Sequence, residues 1–247
     1  MALPKLTVPL YEVVCPSGLK VSFRPFLVKE EKLLIVAMQS KESDTILSAA
    51  KQVLEQCVGK VSNLDIDKLP LFDVEFLFLN LRARSIGEQV NIKYKCNQQV
   101  TDANTGNLVT CNAVSEYPVD LLSIKPIFLP GHKKYIQLTE DVGITLRYPT
   151  FKTYRGISRK DLPSEEAFAF LVDCIESIND KTTVVLTKEV PREEVEAFID
   201  DMSKEQVAML DAFFDTMPKI EKTIHFKCPK CAYEEEITVR GLDNFFA

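Results

Sequence analysis

Two cysteines separated by two residues, Cys228 and Cys231, lie between segments that alternate apolar and polar side chains, KTIHFK before them and YEEEITV after. No other feature limits so strongly what this chain can become. A strand, a tight turn and a returning strand with a thiol at each end of the turn make a knuckle. A Zn²⁺ ion held by four thiolates usually takes two ligands from each of two such knuckles. The metal-binding reading therefore needs a second pair of thiols from elsewhere in the chain. Of the seven cysteines, Cys15, Cys57 and Cys174 fall in or beside apolar patterns (VVC, VLEQC, FLVDCI) and belong to the core. Cys96 and Cys111 close and open two strand-like segments, NIKYKC and LVTCNAV, which read as a hairpin with a long polar tip, NQQVTDANTGN.

Fourteen residues separate Cys96 from Cys111, not two, but strand pairing would bring them to adjacent strands. The candidate ligand set for one structural Zn²⁺ is thus Cys96, Cys111, Cys228 and Cys231. The alternative is a metal-free pair of hairpins with buried thiols. A dithiol redox centre is disfavoured, because it needs the first cysteine at a helix N-terminus. Here a strand follows, carrying Glu234, Glu235 and Glu236.

The rest of the chain supplies a body for these hairpins. With 247 residues and 46% hydrophobic composition it can bury a sizeable core. VPLYEVVC and LKVSFRPF form an N-terminal hairpin across Pro16-Ser17-Gly18, and helical patterns follow in LVKEEKLLIVAMQS and SDTILSAAKQVLEQCV. Pro70 and Gly87 bracket a helix from Leu71 to Ser85 whose apolar residues cover more than one face, which places it at the centre of the fold. YIQL and ITLRY are antiparallel partners, EEAFAFLVDCIESI is helical, and TTVVLTKEV contains a short strand. PREEVEAFIDDM and SKEQVAMLDAFFDTM are two further helices, with start signals at Pro191 and Ser203. The expected fold class is α+β: a mixed helical body with small antiparallel sheets and a zinc-ribbon-like pair of β-hairpins. Residues 1–247 read as a single body, with 88–117 and 219–240 as the two hairpins of one module.

Function classes are narrowed mostly by what is missing. Thirty basic residues against 36 acidic ones give a net charge of −6, and no polybasic stripe stands out, so neither nucleic acid nor an anionic membrane is the expected partner. The opening MALPKLTVPLYEVV lacks the pattern of a secretory signal, and the apolar run from Leu69 to Leu81 is too short to span a bilayer and contains Asp73 and Glu75. His132 sits in a PGHKK turn and His225 on a strand, with no nucleophile or carboxylate set beside either by sequence. No phosphate-binding glycine loop or nucleophile elbow occurs, and acidic runs such as Asp200-Asp201 read as solvated faces.

Three features together carry a family resemblance: an N-terminal hairpin opening into RPFLVKEEKLLIVA, a cysteine hairpin in mid-chain, and the closing FKCPKCAYEEEITVRGLDNFF. The chain resembles the baseplate hub subunit and hub-assembly proteins of T-even-type contractile-tailed bacteriophages. That resemblance implies a non-enzymatic protein that binds other phage baseplate proteins, in the host cytoplasm during assembly or in the baseplate of the virion tail. In the tail GLDNFFA, Leu242, Phe245 and Phe246 are candidate partner-binding residues: burying each aromatic ring stabilises by roughly 1.5–3 kcal/mol, so Phe245 and Phe246 either fold back onto the chain's own core or dock into a partner. The competing reading is a zinc-ribbon nucleic-acid-binding or transcription accessory protein. An enzyme lacks a visible second component.

Overall fold

The computed structural model of the chain describes residues 6–40, 42–102, 106–153 and 164–240. Its elements begin with strands β1 (Tyr11–Val14) and β2 (Lys20–Phe23), followed by helices α1 (Val28–Ser40) and α2 (Ser43–Leu54). A π-helical turn, Glu55–Gly59, leads into the short α3 (Lys60–Ser62), and α4 spans Leu71–Ser85. Strands β3 (Gln89–Lys95), β4 (Gln99–Thr101), β5 (Leu108–Thr110), β6 (Val114–Asp120), β7 (Pro126–Ile127), β8 (Tyr135–Gln137) and β9 (Gly143–Leu146) come next. The chain continues with α5 (Ser164–Cys174), β10 (Ile175–Asn179), β11 (Val184–Leu186), α6 (Arg192–Asp200), α7 (Lys204–Thr216), β12 (Lys219–Lys227) and β13 (Glu234–Arg240). Helices and small antiparallel sheets make this an α+β fold.

Two compact units result. One takes Met1–Leu64, Glu75–Pro126 and Ile220–Ala247; the other takes Asp65–Val74 and Ile127–Lys219. The boundary falls inside α4, whose bounds match those that Pro70 and Gly87 predict. Leu77, Phe78, Leu79 and Leu81 project to different sides of α4, and all four are buried.

In the first unit, β1 pairs with β2 from Tyr11↔Phe23 to Val14↔Lys20, turning at Gly18, whose φ of 89° favours glycine. The RPFLVKEE stretch then acts as a clasp. The Arg24 guanidinium donates to the Pro25 carbonyl at 2.9 Å and to Glu30 Oε1 at 2.9 Å, while the Leu27 N–H donates to Glu30 Oε2 at 2.8 Å. Burial raises the Glu30 carboxyl, but the Arg24 and Leu27 hydrogen bonds and the Arg24 charge outweigh it and hold the group below the usual range. Part of the stretch that carries the family resemblance is thus a device for starting α1.

In the second unit, the sheet order is β11-β10-β9-β8, all antiparallel, with β8 and β9 paired as expected. Ile144, Leu146, Leu171, Ile175, Ile199 and Phe213 contribute to one core drawn from this sheet and α5–α7. The expected helix through Ile178 stops at Cys174, and Ile175–Asn179 is strand β10. Arg147 explains the change. Its N–H donates to the Cys174 carbonyl at 2.8 Å, and its guanidinium donates to the carbonyls of Asp173 at 2.8 Å and Ile175 at 2.7 Å. Carbonyls that continued helix would have used are satisfied there, which frees the next residues to pair with β9. On α7, Ser203 and Gln206 form a reciprocal capping box, so that start signal is realised.

Candidate metal centre

Pairing from Gln89↔Asp120 to Lys95↔Val114 places β3 and β6 in one hairpin, with Cys96 just past the first strand and Cys111 just before the second. The fourteen residues between them are not a simple loop. Within them β4 and β5 pair from Gln99↔Thr110 to Thr101↔Leu108, a hairpin inserted into the turn of a hairpin. The Cys111 N–H donates to the Gln98 carbonyl at 2.9 Å, which closes the insertion at its base. Cys96 N–H donates to the Ala113 carbonyl at 2.8 Å, and Asn112 N–H returns to the Cys96 carbonyl at 3.0 Å. Asn112 takes φ 54° to make this turn.

The second knuckle is built from β12 and β13, paired from Glu221↔Arg240 to Lys227↔Glu234. Cys228 N–H donates to the Tyr233 carbonyl at 2.8 Å, and Ala232 N–H to the Cys228 carbonyl at 3.0 Å. Ala232 has φ 60°.

Side chains lock the two hairpins together. The Tyr117 hydroxyl donates to the Lys227 carbonyl at 3.2 Å and accepts from the Lys227 N–H at 3.1 Å, next to Cys228. The Tyr94 hydroxyl donates to Glu235 at 2.9 Å. Beneath the sulfurs, the ring of the buried Phe226 lies 4.5 Å from Tyr94 and 5.8 Å from Tyr117, centroid to centroid. These two tyrosines and Phe226 were not singled out as site residues from sequence. The signal available was alternation: Tyr94 shares one face of its strand with Val90 and Ile92.

The four candidate ligands converge. Cys96 Sγ lies 3.7 Å from Cys231 Sγ, Cys111 Sγ lies 3.6 Å from Cys228 Sγ, and all four sulfurs are within 4.8 Å of one another. A tetrahedron with metal–sulfur bonds of about 2.3 Å has edges of about 3.8 Å, so the cluster has the size of a four-thiolate site. Cys96, Cys111 and Cys228 are buried and Cys231 is partly exposed.

Charge in the cluster is uneven. Burial pushes the Cys96 thiol up to about 12, and the Cys231, Cys228 and Cys111 sulfurs add to it against the opposing Gln98 N–H. Burial also acts upward on Cys228, but the N–H groups of Cys231 and Lys230 and the neighbouring thiols hold it down to about 6. A divalent cation in the middle would offset the mutual repulsion of all four thiolates.

The other cysteines and the histidines have separate places. Cys15, Cys57 and Cys174 are buried, as expected for core thiols. His225 is exposed, with Glu234 at 3.7 Å. His132 Nδ1 lies 3.0 Å from the Thr216 hydroxyl and Nε2 lies 3.0 Å from the Tyr148 hydroxyl. Since the Thr216 hydroxyl donates to the Ala212 carbonyl at 2.6 Å, it accepts from Nδ1–H, and Nε2 accepts from Tyr148. Both ring nitrogens are thus hydrogen-bonded to neighbouring hydroxyls. Leu242, Phe245 and Phe246 lie outside the described residues.

The site and fold together define an α+β protein whose distinctive feature is a four-cysteine cluster joining two hairpins distant in sequence. A family model described as "T4 bacteriophage base plate protein" matches residues 8–247, nearly the whole chain, and the chain belongs to that family. Comparisons with curated proteins and with solved structures give no match.

Proposed function

We propose that this chain is a non-enzymatic structural or assembly protein of the phage baseplate hub, acting by specific binding to other baseplate proteins. Its place of action is the host cytoplasm during assembly, as a transient assembly factor, or the tail baseplate of the virion, as a retained hub subunit. Family membership supports the baseplate role. The observation that carries the non-catalytic reading is the closure of the cysteine site: four sulfurs within 4.8 Å of one another, three of them buried. Four protein thiolates would fill a tetrahedral coordination sphere, leaving no position for substrate or water.

In this reading Cys96, Cys111, Cys228 and Cys231 hold one structural Zn²⁺, which when bound supplies a crosslink between segments 88–117 and 219–240. Tyr94, Tyr117 and Phe226 orient the two hairpins so that their sulfurs meet. Partner binding is assigned to the tail residues Leu242, Phe245 and Phe246. The nucleic-acid reading has less support, since Lys227 pairs with Glu234 at 2.6 Å and Lys93 with Glu116 at 3.4 Å, and phosphate would have to compete for both.

Co-purification of the tagged full chain with the remaining baseplate proteins tests the proposal, using a variant that lacks residues 241–247 as the comparison. Specific capture that weakens in the truncated variant is expected. Capture of none of them, or a salt-sensitive complex with DNA or RNA, contradicts it.

A further inference from the structure

Two sulfur contacts in the cluster run between the knuckles, Cys96 to Cys231 at 3.7 Å and Cys111 to Cys228 at 3.6 Å, within a cluster whose four sulfurs all lie within 4.8 Å of one another. We propose that the cluster is also a latent two-disulfide clasp, in which an oxidant of the peroxide class links Cys96 to Cys231 and Cys111 to Cys228. The proposal rests on the metal reading only for the release of metal; the pairing is argued from the two contacts that span the knuckles. Both crosslinks would hold the same two hairpins that the metal holds. Pairing within a knuckle, Cys228 to Cys231 or Cys96 to Cys111, would instead leave the hairpins unlinked.

The chemistry balances with peroxide alone. Cys231 is the partly exposed thiol of the four. Its thiolate attacks one peroxide oxygen, the O–O bond breaks, and the departing hydroxide takes a proton to become water. Cys231 is left as a sulfenic acid. The Cys96 sulfur then attacks the Cys231 sulfur, forming the S–S bond and breaking the S–O bond, and the second hydroxide leaves as water. Two thiols are oxidised by two electrons and one peroxide is reduced. A second peroxide does the same for Cys111 and Cys228. Bond formation draws each sulfur pair from its present separation to about 2.05 Å, a small movement for side chains already in contact. A metal ion in the site loses its donors in step and leaves unchanged in oxidation state.

The consequence fits a baseplate protein. Thiolate coordination suits a reducing cytoplasm, whereas a particle outside the cell meets oxidising conditions that favour disulfides. Metal in the first environment and a cross-knuckle clasp in the second would each keep the module closed.

The experiment uses the full chain, once loaded with Zn²⁺ and once treated with chelator. Each sample is oxidised with hydrogen peroxide, alkylated and digested without reduction, and the linked peptides are mapped by mass spectrometry. A metal-binding dye reads free zinc in parallel. The expected map has Cys96–Cys231 appearing first and Cys111–Cys228 second, with zinc released as they form. In a Cys231→Ser variant only Cys111–Cys228 should form. A dominant Cys228–Cys231 or Cys96–Cys111 linkage, or sulfinic and sulfonic acids in place of disulfides, overturns the proposal. If the loaded sample holds no zinc, the metal reading fails by itself, and the peptide map still decides the pairing.

Discussion

The first knuckle spends fourteen residues on a turn that the second makes with two, yet their backbones are bonded alike. In each, the N–H of the first cysteine reaches the carbonyl two residues past the second, at Ala113 and at Tyr233. In each, the residue after the second cysteine donates back to the first, Asn112 to Cys96 and Ala232 to Cys228, and adopts a positive φ. What fixes a thiol pair is therefore the closure of the turn, and sequence spacing is only one way to achieve it. The β4–β5 insertion lies beyond that closure, sealed off by the Cys111 N–H to Gln98 carbonyl bond.

If the knuckles are equivalent halves of one metal centre, damage to either should have the same effect. Cys96→Ser and Cys228→Ser should each abolish metal binding and destabilise the chain by about 3–5 kcal/mol, read by chemical denaturation. Loss from one variant alone would break the equivalence.

The hydroxyl tie between the hairpins comes next in size. Tyr117→Phe leaves the Lys227 N–H and carbonyl without that partner and should cost about 1–2 kcal/mol, while bound metal remains. The positive-φ residues separate the knuckles more finely. Ala232→Gly should stabilise by about 1 kcal/mol because alanine is strained there, and Asn112→Gly by roughly half as much because asparagine tolerates that conformation. Equal gains would mean that the two turns are strained alike.

Deleting residues 99–110 gives the smallest expected effect and the sharpest comparison. It leaves Cys96-Asn97-Gln98-Cys111, a two-residue spacing like that of Cys228-Pro229-Lys230-Cys231. Metal stoichiometry should be unchanged and stability altered by less than about 1 kcal/mol. Loss of metal would show that the insertion shapes the turn.

The second unit offers a contrast in what disturbs it. Burial first, and then the Lys134 charge, lower the pKa of His132, which also packs against Tyr148 and Phe213. The unfolded chain therefore binds the proton more readily, so the His132 contribution is present above about pH 6.5 and is lost as pH falls through the lowered folded value. Melting followed from pH 7.5 to 5 should show this loss, and His132→Gln should flatten it. Chelator should leave it untouched.

Much of this was legible in the sequence wherever one strong local signal ruled. Proline and glycine set both ends of α4, alternation gave β3, β6, β12 and β13, and the four ligand candidates were those that converge. It failed where tertiary bonds decided. The insertion looked like a loop because NQQVTDANTGN is polar and Val100 is the apolar residue that β4 offers. β10 looked helical because Arg147, which caps the end of α5, is distant in sequence. Tyr94 and Tyr117 gave no hint of their partners, since Glu235 and Lys227 lie more than a hundred residues away.

The most direct test of the central claim is X-ray absorption at the zinc edge on the chelator-washed, zinc-reloaded full chain, alongside its metal content. The account predicts one Zn²⁺ per chain with four sulfur neighbours at about 2.3 Å. Nitrogen or oxygen in the first coordination sphere, or protein that returns from the chelator without taking up zinc, would contradict it.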